Sequence, residues 1–429
     1  MAQLLAGWLF AVTIDLPTIF LPIPQPLRAN LMSDNEFQRL DDLMQGPGPE
    51  SVLAALASSL REQHRYHELF EVLKMQVRRR LGLPIVYTDE GDELPEQQRQ
   101  ALEEGLLDAC RQVGLALLDK GQVRDGWIYL RPLGDKKLVA ERIAQLPITD
   151  DSVDQFIEVL LHEAVDTERG YQLVLEHYGT CNSITTLQSA LYGRPKQERR
   201  AAGRLLVRHV YRELCQNVKS HIERRAGEGD ATGAAAPLSA EHLMPLLEGR
   251  PWLCEGGAYH LDTSHLSSTV QIAAELIDPD SLQLAWELTQ YGLQLDPQLQ
   301  YPGEAPFADL YPSHAVYFAA QLGRDADQAI AYFGQQARDS QPRDEGTRTI
   351  EVYVDLLARL GRFDEAIDAL TAMIPPGIQL CGIAPTLYEL CAGCHRFDKM
   401  ARIAAERGDI LSYTVALLNG ARSGPRQAE

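Results

Sequence analysis

Basic charge is in short supply in this sequence. Across 429 residues, Lys and Arg number 40 against 60 Asp and Glu, a formal net charge of -20. An unpatched surface of that sign repels phosphate backbones and anionic lipid alike, which excludes nucleic acid as a partner and gives no reason to expect a membrane. Cysteine is also sparse and unpaired in pattern: Cys110, Cys181, Cys215, Cys254, Cys381, Cys391 and Cys394 are odd in number and scattered. No disulfide framework is expected from them, and a reducing, cytoplasmic setting follows. Catalytic signatures are missing too. There is no Walker loop, no GxSxG elbow and no HExxH, and the glycines never follow a strand as a dinucleotide fingerprint requires, so enzymatic activity has no support in the sequence.

Hydrophobic residues make up 45% of the chain, enough to fill a core, but the length exceeds one ordinary core and suits two lobes or an additive stack. Runs alternating with period 2 are few, while apolar residues at i, i+3 and i+4 recur from Ser33 onward, which predicts an all-α protein. The apolar stretch from Leu4 to Pro22 lacks a basic flank, carries Asp15 and is broken by prolines, so it reads neither as a spanning helix nor as a cleaved signal. Residues 1–31 are read as a leader or an overcalled start, ahead of an N-capped helix opening at Met32-Ser33-Asp34.

One short pattern returns along the chain. Leu360-Gly361-Arg362-Phe363-Asp364 and Cys394-His395-Arg396-Phe397-Asp398 set Arg-Phe-Asp steps 34 residues apart, and Leu322-Gly323-Arg324-Asp325-Ala326 is a looser copy. The same helix, polar break, helix shape is present around His64-Arg65-Tyr66 and around Lys120-Gly121. A period of this size belongs to stacked helical hairpins. The chain resembles tetratricopeptide-type repeats, divergently, since the Trp, Tyr and Pro positions of the full pattern are absent. The resemblance implies an all-α architecture of helical hairpins stacked as a tetratricopeptide-like α-solenoid with a helical N-terminal lobe, and a protein-binding concave face lined by the first helix of each hairpin.

The clearest linker is 227–237, small, polar and Gly-rich, so the expected organisation is an N-terminal helical lobe over 32–226 and a repeat lobe over 238–429. From Glu241 onward there are 26 acidic against 13 basic residues, a net of -13, so a charged protein or peptide partner should be basic. The helix from Pro195 to Arg225 gathers Lys196, Arg199, Arg200, Arg204, Arg208, Arg212, Lys219, Arg224 and Arg225, and is read as a face neutralised by nearby acid.

Three groups of residues invite chemistry. His177 beside Cys181 suggests nucleophilic chemistry, but Gly179 reads as a helix stop, Asn182 or Ser183 as a cap and Cys181 as a small buried residue. Cys391-Ala392-Gly393-Cys394-His395 spells a haem c attachment sequence, yet it falls on a hairpin turn, so haem c is not expected. The third is Tyr259-His260-Leu261-Asp262-Thr263-Ser264-His265, with two imidazoles and a carboxylate within six residues. If first helices line a groove, His265, His314 and Glu351 form a row across three hairpins. His260, Asp262, His265, His314 and Glu351 are therefore candidate ligands for a divalent metal such as zinc or iron, and His265, His314, Tyr317 and Glu351 candidate partner contacts. The leading expectation is a cytoplasmic interaction scaffold. Its alternative is a metal-binding protein or metal-dependent enzyme.

Overall fold

A computed structural model describes residues 34–86, 94–227 and 242–420. Among the described residues every regular element is helical, as the period of the apolar positions requires. The chain divides into two compact units, Met1–Leu173 and Val174–Glu429, with the division inside a helix. This differs from a division at 227–237. The reason is that the long basic helix before the Gly/Ala-rich segment packs on helices that follow it in sequence. Residues 228–237 of that segment and residues 1–31 lie outside the described residues.

In the first unit α1 (Asp34–Gln45), α2 (Pro49–Glu62), α3 (Tyr66–Arg80), α4 (Glu96–Leu118) and α5 (Val123–Leu130) pack as successive antiparallel neighbours, followed by α6 (Lys136–Ile143) and α7 (Val153–Ile157). Leu53, Leu60, Leu69, Phe70, Val113, Leu117 and Tyr129 form a core shared by α2, α3, α4 and α5. α4 and α5 cross so closely that a Cβ on Gly114 would stand 2.5 Å from Leu130 Cγ, a position only glycine fills.

The second unit begins within α8 (Thr167–Gln188), which is broken at Gly179 (φ 75°, ψ -178°). The Gly179 carbonyl accepts the Ser183 hydroxyl, and Cys181 is exposed where the sequence suggested a buried thiol. Then come α9 (Lys196–Gly227), the short α10 (Leu243–Leu247), α11 (Thr263–Ala273), α12 (Pro279–Gly292), α13 (Leu310–Gln321), α14 (Ala326–Asp339), α15 (Arg348–Arg359), α16 (Phe363–Met373), α17 (Leu387–Gly393), α18 (Phe397–Glu406) and α19 (Ile410–Gly420). From α11 to α18 they pair as four hairpins, each packed on the next.

The recurring sequence pattern has a backbone cause. At His64, Gly121, Gly323, Gly361, His395 and Gly408 the chain enters the left-handed region, φ 58–78°. The amide of the following residue then donates to the carbonyl five residues back, Arg65 to Leu60, Gln122 to Leu117, Arg324 to Ala319, Arg362 to Leu357, Arg396 to Cys391 and Asp409 to Ala404, all at 2.9–3.0 Å. This closes the orphan carbonyls of one helix and aims the chain back along it. The Arg-aromatic-Asp step adds a link between hairpins. Arg362 reaches Asp327 at 3.4 Å and Arg396 reaches Asp364 at 3.2 Å, each contacting the second helix of the hairpin before. These pairs are open to water and screened by it, so they set register more than stability.

α9 is not a free basic face. Arg199 pairs with Glu275 at 3.0 Å, Arg200 donates to the Glu275 carbonyl, and Lys196 donates to the Ile383 carbonyl ahead of α17. Its apolar side, with Val207, Val210, Leu214 and Val218 fully enclosed, packs on α11 and α12.

Candidate functional site

The candidate site is a cleft of about 640 Å³ between α9 and the segment 257–262 that leads into α11. Glu213, Asn217, His221 and Arg224 line it at four- and three-residue steps on one face of α9. Opposite, Gly256 and Gly257 both take positive φ, 65° and 77°, turning the chain so that Tyr259, His260 and Asp262 face the cleft. Tyr259 is 57% exposed and forms an open aromatic wall.

A chain of hydrogen bonds runs inward from this surface. His221 Nδ1 lies 2.8 Å from His260 Nε2, and His260 Nδ1 lies 2.9 Å from the Tyr291 hydroxyl, whose oxygen also accepts the His260 backbone amide at 2.8 Å. Asn217 donates to the His260 carbonyl at 2.8 Å. Two proton arrangements satisfy the pair. Either Tyr291 donates to His260, which donates to His221, or His221 donates to His260, which donates to Tyr291. The rings of Trp252 and His221 meet at right angles, 5.3 Å between centroids, and the Arg225 guanidinium lies 4.1 Å over the same indole. Burial, then His221 and Arg224, push His260 down to about 4, so it is neutral near pH 7. Burial pushes the Tyr291 phenol well above its ordinary value.

No protein-family model, curated protein or solved structure matches this chain. The reading therefore rests on this geometry.

Of the candidate metal ligands and partner contacts read from the sequence, only His260 and Asp262 belong to the cleft. Asp262 is the N-cap of α11: its carboxylate accepts the Ser264 hydroxyl at 2.6 Å and amide at 2.9 Å, which hold it below the usual carboxylate range. His265 is half-buried on α11. The remaining three are core residues, which corrects the expectation of a groove row. His314 is 1% exposed, stacked on Phe307 at 4.0 Å, with Nδ1 2.7 Å from the Leu310 carbonyl. Tyr317 is 2% exposed and donates to Asp355, and Glu351 is fully enclosed with its oxygens committed to five donors. The physical reason is that the apolar first helices bury these polar atoms against internal partners instead of offering them to water. Among the described residues no three His, Cys, Asp or Glu side chains converge as metal ligands, so the five proposed ligands are not brought together. Of the haem-like residues, Cys391 is buried, with burial pushing its thiol up to about 11, and His395 occupies the left-handed turn position.

Sequence reasoning missed His221, Asn217 and Tyr291. His221 precedes His260 by 39 residues, and only the packing of α9 on the segment before α11 joins them.

Acid should act through two histidines. His260, and His314 under burial and Arg348 offset by the Leu310 carbonyl, are both held down to about 4 from 6.5. The unfolded chain therefore takes up protons that the folded one refuses between pH 6.5 and 4. Stability is unaffected by these groups above 6.5, falls as pH drops through that window, and levels off below it. The expected loss is up to ~3 kcal/mol for enclosed His314 and less for His260, which water partly reaches. Urea unfolding at pH 7.5, 5.5 and 4.5 measures it, and His314→Gln should flatten the profile. An unchanged slope in that variant would place the titration elsewhere.

Proposed function

We propose that this chain is a protein-interaction scaffold of stacked helical hairpins, tetratricopeptide-like in plan, that takes a basic segment of a partner protein into the cleft beside His221 and His260. The observation carrying this reading is Tyr259, a large ring left 57% exposed on the wall of an open cleft whose rim holds the Glu213 and Asp262 carboxylates. An aromatic wall beside acid suits a Lys or Arg side chain, which stacks on the ring while its charge meets a carboxylate. The Asn217 amide and the polar backbone of 257–262 suit an extended main chain. Free thiols at all seven cysteines support a reducing, cytoplasmic setting.

Selection of a displayed random-peptide library on the full chain tests this. Enriched sequences should carry Lys or Arg beside a small or polar residue, and Tyr259→Ala with Glu213→Gln should weaken the selected peptides at least ~10-fold, about 1.4 kcal/mol. Tyr259 is exposed, and Glu213 is half-buried with only a long 3.4 Å bond from the Thr180 hydroxyl to lose, so the melting temperature should fall little. Enrichment of acidic or purely apolar peptides, or equal binding by the double variant, would count against the cleft.

A further inference from the structure

The cleft beside His221 and His260 is not uniform along its length. Glu213, Asn217, His221 and Arg224 stand at i, i+4, i+8 and i+11 of α9, one face over three turns, which sets Glu213 and Arg224 about 16 Å apart along the axis. The chain opposite runs antiparallel to α9. Trp252 meets His221 and Arg225, His260 meets Asn217 and His221, and a Cβ on Gly203 would lie 3.2 Å from Leu276 and 3.5 Å from Ile272. Asp262 therefore belongs to the Glu213 end, so the cleft has its carboxylates at one end and Arg224 at the other.

Arg224 is exposed and has no hydrogen-bond or ion-pair partner among the described residues, whereas Lys196, Arg199 and Arg200, nearer the start of the helix, are all engaged. One turn away His221 has committed Nδ1 to His260, and its Nε2 has no partner among the described residues. A carboxylate placed here takes the Arg224 fork and, when His221 Nε2 carries the ring proton, a second hydrogen bond. Of the two proton arrangements of the relay, that is the one in which Tyr291 donates to His260 and His260 donates to His221. No group in the relay has to change its charge.

The ends of the cleft set a spacing. An extended segment advances about 3.3 Å per residue and covers the distance from Glu213 to Arg224 in about five residues. We propose, on the reading that the cleft takes a basic segment, that Arg224 and His221 form an anion subsite for a partner carboxylate about five residues from the Lys or Arg held by Tyr259, Glu213 and Asp262. A segment carrying one charge of each sign is neutral as a whole, so the net charge of -20 on this chain does not oppose its docking, as it would oppose a doubly charged phosphate. The carboxylate comes from an Asp or Glu side chain or from the end of the partner's chain.

Fluorescence anisotropy on the full chain, with labelled and end-blocked peptides of the form Lys-Ser-Ala-Ser-Ala-Glu, tests the subsite. This peptide should bind at least ~10-fold more tightly than its counterpart with Gln in place of Glu. Arg224→Gln should remove that gain without weakening the Gln-ended peptide, and Arg224→Glu should reverse the order of the two. Both variants should fold, since the side chain they replace is exposed and has no partner to lose. In the complex, the ¹⁵N shifts of the His221 ring should place its proton on Nε2. A peptide that carries its carboxylate as a free chain end at the same spacing separates the two sources: a gain from either supports the subsite, and the larger gain names the source. Equal binding of the Glu- and Gln-ended peptides, or a gain that survives Arg224→Gln, overturns the subsite and leaves the basic end of the cleft standing. If a peptide with Gln in place of Lys binds as tightly as the original, and still depends on Arg224, the subsite stands and the basic end falls. Failure of every peptide to bind at about 1 mM overturns both.

Discussion

Glu351→Ala should remove on the order of 4 kcal/mol of folding stability, a change large enough to unfold a marginal domain at physiological temperature. The Glu351 carboxylate, fully enclosed at the start of α15, accepts the Thr347 hydroxyl at 2.6 Å and the amides of Cys381, Gly382, Ile383 and Ala384 at 2.7, 2.9, 2.8 and 3.2 Å. Those amides belong to the connection between α16 and α17, which contains Pro375, Pro376, Gly377, Gly382 and Pro385 and forms no regular structure of its own. One side chain thus pairs four consecutive amides of a connection that has no helix or strand to pair them, the buried Ala384 amide among them. Burial pushes the carboxyl up, but the Thr347 hydroxyl and the Cys381 and Ala384 donors outweigh it and hold the group below its ordinary 4.5. Its contribution is therefore full above that pH and is lost as pH falls through the depressed value. Glu351→Gln, which keeps one strong acceptor, should cost about half as much. Urea unfolding gives the energies, and proteolysis should attack 375–385 faster in the Ala variant. A loss below about 1 kcal/mol would mean the loop holds itself.

Arg359→Met should cost a similar ~3–5 kcal/mol, for a different reason. Arg359 and Asp355, side chains 12% and 8% exposed, lie 2.7 Å apart, and the guanidinium also donates to the Leu276 carbonyl at 2.7 Å and to Gln321 at 2.9 Å. Tyr317 donates to the same Asp355 at 3.1 Å. The guanidinium thus links the ends of α13 and α15 to the turn after α11. Removing the cation alone strands a buried carboxylate. Because burying the pair carries its own desolvation cost, Arg359→Met combined with Asp355→Leu should recover much of the loss, and a double variant no better than the single one would show that the bonds to Leu276 and Gln321 dominate.

These residues show where the sequence could be read. The hairpin turns at 64, 121, 323, 361 and 395 were legible because a left-handed residue followed by a polar one and a new apolar helix is a local signal. The turn at Gly408 follows the same backbone rule but lacks the Arg-aromatic-Asp step. The row of His265, His314 and Glu351 was misjudged because a polar residue early in a first helix looks the same in sequence whether it faces a groove or an internal donor. For Glu351 the donors are backbone amides some 30 residues on, and an amide carries no sequence label.

The sequence by itself determined that the chain is all-helical, where its hairpins turn and that its surface is acidic, because each follows from local periodicity, turn chemistry or composition. Only the tertiary structure decided that α9 packs with the second unit, that His260 finds His221 and Tyr291, and that His314, Tyr317 and Glu351 are enclosed. Each of these depends on which surfaces meet across tens of residues. The free energy that selects such a meeting is spread over buried area and partner geometry, and no single stretch of chain contains it.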